Sequence, residues 1–133
     1  MSARLLIIDD EPDLVEALAM RFRVSGFEVE TAADGRQGIE RVRSFRPNVV
    51  LLDVAMPEMN GWDVCRALRA DPATRELPVL VMTAAMLRGA DEAARSVGAD
   101  GVVRKPFDDR ALVAAVKGLA ARAAPSPQGP SQI

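Results

Sequence analysis

The chain contains no histidine, and it has one cysteine and one tryptophan among its 133 residues. Without histidine, imidazole acid–base catalysis and histidine ligation of a metal are excluded. The single cysteine, Cys65, cannot form a disulfide within the chain. Any chemistry therefore depends on carboxylates, hydroxyls and basic side chains.

Long apolar runs, a basic charge excess and glycine-rich nucleotide motifs are also missing. The first segment, MSARLLII, is too short for a membrane span and is followed at once by acids, so we expect a cytoplasmic protein without membrane contact. A formal net charge of −2 offers no basic surface, and direct binding of nucleic acid is not expected. The lack of a G-x-G-x-x-G motif argues against a dinucleotide-binding domain.

The length fits a single domain, and the composition changes once, close to the end of the chain. After Arg122 the sequence reads AAPSPQGPSQI, which has no charge and little to bury. We therefore predict one domain over residues 1–122 and a flexible tail or truncated linker over residues 123–133.

Strand and helix patterns alternate along the chain, which is typical of an α/β protein with a doubly wound parallel sheet. Continuous apolar runs predict strands buried on both faces, whereas the alternation in FEVE predicts an edge strand. The predicted strands are residues 5–8, 27–30, 49–52, 79–82 and 101–104. The predicted helices are residues 12–25, 35–45, 61–70, 86–97 and 108–122.

Polar side chains stand where the predicted strands end: Asp9 and Asp10, Asp53, Thr83, and Lys105. Because the carboxyl ends of parallel strands converge on one crevice, these five side chains should meet there. Carboxylates suit a hard cation such as Mg²⁺, and an aspartate can attack phosphorus to form an acyl phosphate. The pattern therefore favours phosphoryl chemistry.

Each of these residues also has an ordinary structural explanation when it is considered alone. Asp9 and Asp10 could cap a helix before Pro12, Asp53 could begin a turn, and Thr83 could cap a helix. The functional interpretation depends on the occurrence of all five residues at strand ends. Lys105 strengthens it, since only two of the 17 basic residues are lysine.

Four segments, IIDDEP, LLDVAMPEMNGW, VLVMTA and GADGVVRKPF, resemble the signature segments of bacterial response regulator receiver domains. The resemblance extends from about Arg4 to about Leu119. It implies a flavodoxin-like fold with five parallel strands in the order 2-1-3-4-5 and five helices.

The same resemblance implies a role for each residue of the crevice. Asp53 is expected to be the phosphoacceptor, Asp10 a direct Mg²⁺ ligand, Asp9 a ligand through water, and the backbone carbonyl of Ala55 a further ligand. Asp53 itself also belongs to the expected metal set. The remaining expectations are that Thr83 and Lys105 bind phosphoryl oxygens and that the bond before Pro106 is cis.

The sequence departs from the family pattern at three positions. Val102 stands three residues before the lysine, where the family usually has an aromatic switch residue that works with the threonine. Ala55 and Ala85 occupy the positions whose side chains tune dephosphorylation in the family. Neither can position water, which favours slow self-dephosphorylation, although small residues could instead give water better access.

The resulting hypothesis is a phosphorylation-dependent switch in a two-component system, with a histidine kinase or phosphotransfer protein as the donor. Its expected output surface is the fourth helix, fifth strand and fifth helix, which would contact a downstream protein, an output domain or a second copy in a phosphorylation-dependent dimer. The alternative is a Mg²⁺-dependent phosphatase of the aspartyl-phosphate type, which usually has a second aspartate where Ala55 stands.

Three further expectations concern large or reactive side chains. Trp62 is expected in the core, with partner contact as the alternative, and Cys65 is expected to be a small buried side chain. Met56, Met59, Met82 and Met86 are expected to fill gaps near the crevice, with partner contact second.

Overall fold

Five strands and five helices alternate along the chain in the computed structural model, which describes residues 2–84 and 86–123. The strands are β1 (Arg4–Ile8), β2 (Glu28–Ala32), β3 (Val49–Asp53), β4 (Val79–Ala84) and β5 (Gly101–Lys105). The helices are α1 (Pro12–Val24), α2 (Gly35–Phe45), α3 (Gly61–Ala70), α4 (Ala90–Val97) and α5 (Asp109–Ala123).

The five strands form one parallel sheet in the order β2-β1-β3-β4-β5. The expected strand order and the edge position of β2 are therefore confirmed. The register places Ile7 beside Leu51 and Leu51 beside Leu80, so the three apolar strands lie together at the centre of the sheet.

The core has two layers because successive side chains of a strand point to opposite faces of the sheet. Leu5 and Ile7 pack with apolar residues of α1 and α5. Leu6 and Ile8 pack with residues of α2, α3 and α4 on the opposite face. This double coverage explains why β1, β3 and β4 are continuous apolar runs in the sequence.

The fourth helix differs from its prediction, because it begins at Ala90 rather than at residue 86. Gly89 immediately before it has a φ of 75°, a left-handed conformation that an α-helix cannot contain. Residues 86–89 form a connection instead of a first helical turn. The side chain of Met86 is 89% exposed, so its predicted gap-filling role is wrong.

The other apolar predictions agree with the structure more closely. Cys65 is fully buried, as are Met56 and Met82. Trp62 is half-buried and packs against the core layer on the α2–α4 face, so one side of it still faces solvent.

None of the helices in the described part of the chain combines the length and the hydropathy that crossing a bilayer requires. The predicted tail lies outside the described residues, except for Ala123 at the end of α5.

Candidate functional site

Three carboxylates meet at the carboxyl ends of two neighbouring strands. Asp53 is the last residue of β3, and Asp9 and Asp10 directly follow β1. Because β1 and β3 pair in parallel, one ligand oxygen from each acid lies within 4.8 Å of the others. Asp9 and Asp53 are buried, at 1% and 3% exposure, whereas Asp10 is exposed. The predicted acidic cluster is present.

The ammonium group of Lys105, at the end of β5, lies among these acids. Its Nζ is 3.3 Å from Oδ1 of Asp53 and 3.7 Å from Oδ2 of Asp9. A third acid, Glu11, contributes an oxygen 3.6 Å away. The sequence analysis missed Glu11, although it stands directly after the acid pair and is a visible candidate there.

Burial dominates the electrostatics of the two enclosed acids. Burial raises the pKa of Asp9 to about 6, helped by the negative charge of Asp53 and opposed by the backbone N–H of Glu11 and by Lys105. The pKa of Asp53 is also raised by burial, although Lys105 opposes this. Burial alone would lower the pKa of Lys105, but the surrounding carboxylates, Asp53 first, raise it above its usual value. The site therefore concentrates negative charge where little water can solvate it.

Two buried polar atoms in the described part of the chain lack a hydrogen-bond partner, and both lie at strand ends around the crevice. They are Oδ2 of Asp9 and Oγ1 of Thr83. A buried oxygen or hydroxyl without a partner costs about 1–3 kcal/mol, so such atoms are rare in proteins. A cation beside Asp9 and an anion beside Thr83 would remove both costs.

The donor set fits a hard divalent cation. Asp9, Asp10 and Asp53 offer carboxylate oxygens at mutual distances suited to one ion, and oxygen is the ligand that Mg²⁺ prefers. Ala55 follows Asp53 by two residues in the loop after β3, and its backbone helps to lower the pKa of the Asp53 carboxyl against the effect of burial. Its backbone carbonyl remains the predicted further ligand.

The loop after β3 can approach the strand because residue 61 is glycine. A Cβ at Gly61 would meet the backbone carbonyl oxygen of Asp53 and lie 2.9 Å from the Cα of Val54. Asn60 then starts α3 through a capping box with Asp63, at 3.0 and 3.2 Å. These contacts fix the backbone around Asp53.

The remaining predicted residues lie around β4 and β5. Val102 pairs with Val81 and is half-buried, and its neighbour Val103 packs against the α1–α5 layer, so Val102 lies on the α4 face of the sheet. The peptide bond between Lys105 and Pro106 is cis. Ala85 lies outside the described residues. Arg104, which the sequence analysis did not single out, contacts the chain between β4 and α4.

The known proteins that are similar to this chain in sequence include response regulators. The profile of the response regulator receiver domain matches residues 5–117. The DNA-binding response regulator MtrA of Mycolicibacterium smegmatis is 42% identical over 117 residues, which are 88% of this chain and 50% of that protein. Response regulator PleD of Caulobacter vibrioides is 40% identical over 119 residues, or 90% of this chain and 26% of that protein. The chain thus spans about half, or less, of the length of these relatives.

A solved structure supports the same assignment. The chemotaxis protein CheY4 of Vibrio cholerae superposes with a TM-score of 0.84 at 29% identity, covering 90% of this chain and 99% of that one. The shared part includes the parallel sheet whose strand ends carry the acidic cluster. The profile match, the relatives and the fold agree, and the chain belongs to the response regulator receiver domain family.

Proposed function

We propose that this receiver domain is a phosphorylation-dependent switch whose phosphoacceptor is Asp53. The observation that carries the proposal is the position of the Asp53 carboxylate, which is nearly enclosed and lies 3.3 Å from the Lys105 ammonium. Two further acids stand beside it, and the hydroxyl of Thr83 on the adjacent strand has no hydrogen-bond partner among the described residues. One carboxylate is thus surrounded by groups that bind metal and by groups that bind phosphoryl oxygens.

In the proposed reaction a carboxylate oxygen of Asp53 attacks the phosphorus of a phosphohistidine on a kinase or phosphotransfer protein. A new O–P bond forms, the P–N bond of the donor breaks, and the electron pair returns to the donor's ring nitrogen. The donor supplies the imidazole that this chain lacks. In this proposal Lys105 neutralises one phosphoryl oxygen, and Thr83 donates a hydrogen bond to another.

The proposed cofactor is Mg²⁺, held by the carboxylates of Asp10 and Asp53 and the backbone carbonyl of Ala55, with Asp9 bound through water. When bound, the ion supplies positive charge that offsets both the clustered carboxylates and the phosphoryl oxygens. The buried Asp9 oxygen without a partner supports this proposal.

Phosphorylation is proposed to change the surface formed by α4, β5 and α5. Binding of Thr83 to a phosphoryl oxygen would draw in the end of β4, and the chain that follows leads directly to α4. The named relatives carry different additional sequence, and one of them is described as DNA-binding. We therefore propose a protein surface, a second copy or an output domain as the receiver of the signal, and no direct contact of this domain with DNA.

The phosphatase alternative would require a general acid beside the nucleophile. Ala55 stands two residues after Asp53 and has no proton to give. The described crevice contains Lys105 in its place, whose raised pKa keeps it charged rather than ready to release a proton. We therefore favour a single phosphorylation event followed by slow hydrolysis over continuous turnover.

The test is incubation with acetyl phosphate and Mg²⁺, followed by intact-mass measurement. The wild-type protein should gain one phosphoryl group, and Asp53→Asn should gain none. Asp109→Asn, at an exposed acid that contacts Arg21, serves as the matched control and should be labelled like the wild type. Labelling of Asp53→Asn, or sustained hydrolysis of p-nitrophenyl phosphate by the wild type, would contradict the proposal.

A further inference from the structure

Arg104 on β5 makes two contacts that tie this edge strand to the chain between β4 and α4. Its Nη1 donates to the backbone carbonyl of Leu87 at 3.1 Å. Its Nη2 donates to Oδ2 of Asp91, in the first turn of α4, also at 3.1 Å. One guanidinium thus holds both the connection and the beginning of the helix, and we call these two contacts the Arg104 clamp.

The clamp lies beside both groups that are proposed to bind phosphoryl oxygens. Arg104 precedes Lys105 in the sequence, and in the register of the sheet it pairs with Thr83 on β4. Because β4 and β5 are paired here, a shift of β4 that brings Thr83 toward Asp53 would also act on the strand that carries the clamp. The clamp therefore connects β5 to the segment that leads from β4 to α4.

The chain that the clamp holds has few other attachments. Met86 is 89% exposed and Leu87 42% exposed, so neither side chain anchors it in the core. The amino end of α4 has no side-chain cap, since Gly89 occupies that position. The hydrogen bonds described for residues 86–89 are one from the Leu87 N–H to Ala84 at 3.1 Å, one from the Ala93 N–H to Gly89 at 2.9 Å, and the one from Arg104 to Leu87. A weakly attached segment of this kind responds to small changes in contact energy.

We infer that Arg104 is a positioning residue that holds the β4–α4 connection in its unphosphorylated arrangement and so opposes the switch. This inference rests on the proposed function, because it concerns how Thr83 responds to a phosphoryl group. Val102, with a short β-branched side chain, cannot swing between two positions as an aromatic residue could. In this protein Arg104, on the same strand as Val102, would therefore control the position of the connection.

The clamp makes a quantitative prediction about ligand affinity. If only a fraction of molecules has the binding-competent connection, the observed affinity falls by that fraction. Breaking the clamp should raise the fraction and tighten the binding of a phosphoryl analogue. For a half-exposed ion pair combined with one charged hydrogen bond, we expect a change of about two- to tenfold. High salt should reduce the difference, since the pair is accessible to ions.

The experiment is a titration of the full chain with beryllofluoride in the presence of Mg²⁺, followed by the amide NMR signals of residues 86–91. Arg104→Met keeps the length of the side chain but removes the guanidinium, and it should lower the apparent dissociation constant. Asp91→Asn should act in the same direction and less strongly. The effect of the double variant should be smaller than the sum of the two single effects and close to that of Arg104→Met alone, because both changes break one clamp.

Arg66→Met is the matched control, because it removes another solvent-accessible arginine–aspartate pair, which lies within α3. Its affinity for beryllofluoride should equal that of the wild type. A merely structural role for Arg104 would lower the melting temperature and leave the affinity unchanged or weaker, and that result overturns the clamp. A wild-type protein that does not respond to beryllofluoride overturns the proposed function as well, so the two failures can be told apart.

Discussion

The two ends of the parallel sheet are built in opposite ways. The carboxyl end gathers Asp9, Asp10 and Asp53 within 4.8 Å of one another, and Oδ2 of Asp9 has no hydrogen-bond partner. At the amino end, by contrast, the guanidinium of Arg69 donates hydrogen bonds to backbone carbonyls and to a carboxylate among partly exposed residues. The first arrangement is unfavourable until a ligand arrives, and the second is complete without one.

Arg69 is the centre of the amino-end network. Its guanidinium donates to the carbonyls of Gly98 at 2.8 Å and Leu77 at 2.7 Å, and to Oδ2 of Asp100 at 3.1 Å. The same Asp100 oxygen accepts from the backbone N–H of Val79 at 2.8 Å, where β4 begins. One side chain of α3 thus connects the segment before β4 to the segment between α4 and β5.

This contrast separates the end of the sheet that stabilises the fold from the end that carries the proposed switch. The amino end fixes the strands and helices, so the carboxyl end can carry repulsion and unpaired atoms without unfolding the protein. Changes at the amino end should therefore affect stability without regard to metal, whereas changes at the carboxyl end should depend on Mg²⁺ or pH.

The largest expected effect is at Arg69. Arg69→Met should lower the free energy of unfolding by about 2–4 kcal/mol, because it leaves the carbonyls of Gly98 and Leu77 without this donor and removes the ion pair with Asp100. Urea unfolding monitored by circular dichroism measures the loss. Arg66→Met, one turn earlier on the exposed side of α3, should change it by less than about 0.5 kcal/mol. Equal losses in the two variants would remove the basis for a stabilising amino end.

A pH effect is expected next, at the opposite end. Because the pKa of Asp9 is about 6 in the folded protein and 3.8 ordinarily, the folded state keeps its proton to higher pH than the unfolded chain does. The contribution of Asp9 to the free energy of unfolding of the metal-free protein should therefore fall as the pH rises from 3.8 to about 6, by about 3 kcal/mol at most.

Urea unfolding at a series of pH values in chelator measures this slope. Asp9→Asn should flatten it, whereas Asp109→Asn, at an exposed acid, should keep the wild-type slope. A slope that is the same in Asp9→Asn as in the wild type would show that burial does not control the Asp9 carboxyl.

Gly61 offers a smaller, steric test of the carboxyl end. Gly61→Ala should cost about 1–3 kcal/mol, because the added Cβ would meet the backbone of Asp53 and force the loop away from β3. It should also weaken Mg²⁺ binding, since the ligands move. Gly118→Ala in α5, where nothing lies within 4 Å of an added Cβ, should instead stabilise the protein by about 0.5–1 kcal/mol. Thermal unfolding of both variants, with and without Mg²⁺, is the measurement.

The smallest expected effect is stabilisation by Mg²⁺ itself. At a Mg²⁺ concentration ten times the dissociation constant, binding to the folded state should add about 1.4 kcal/mol and raise the melting temperature. Asp10→Asn should reduce this gain and stabilise the metal-free protein, because it removes one of three repelling charges. Mg²⁺ should raise the free energy of unfolding of Arg69→Met by the same amount as that of the wild type, although the variant is less stable without Mg²⁺. A melting temperature insensitive to millimolar Mg²⁺ would contradict the proposed site.

The strands and the acidic cluster could be predicted because their signals are local. A run such as VVLLD indicates both a strand that is buried on two faces and a carboxylate at its end. Parallel pairing of the strands then brings such ends together. The start of α4 could not be predicted in this way. Met86 and Leu87 fit an apolar helical pattern, but only the packed structure shows Met86 in solvent and Gly89 in a left-handed conformation.

The sequence by itself determined the fold class, the order of elements and the residue types at each strand end, because apolar periodicity and turn residues act over a few neighbouring positions. Tertiary structure alone decided which charges touch. Lys105 forms an ion pair with Glu11, which lies 94 positions away in the sequence. Arg69 and Arg104 donate hydrogen bonds to backbone carbonyls, and the pattern of side chains in the sequence does not indicate which carbonyls these are. Such contacts depend on how helices and connections pack over the sheet, and that packing is a property of the whole domain.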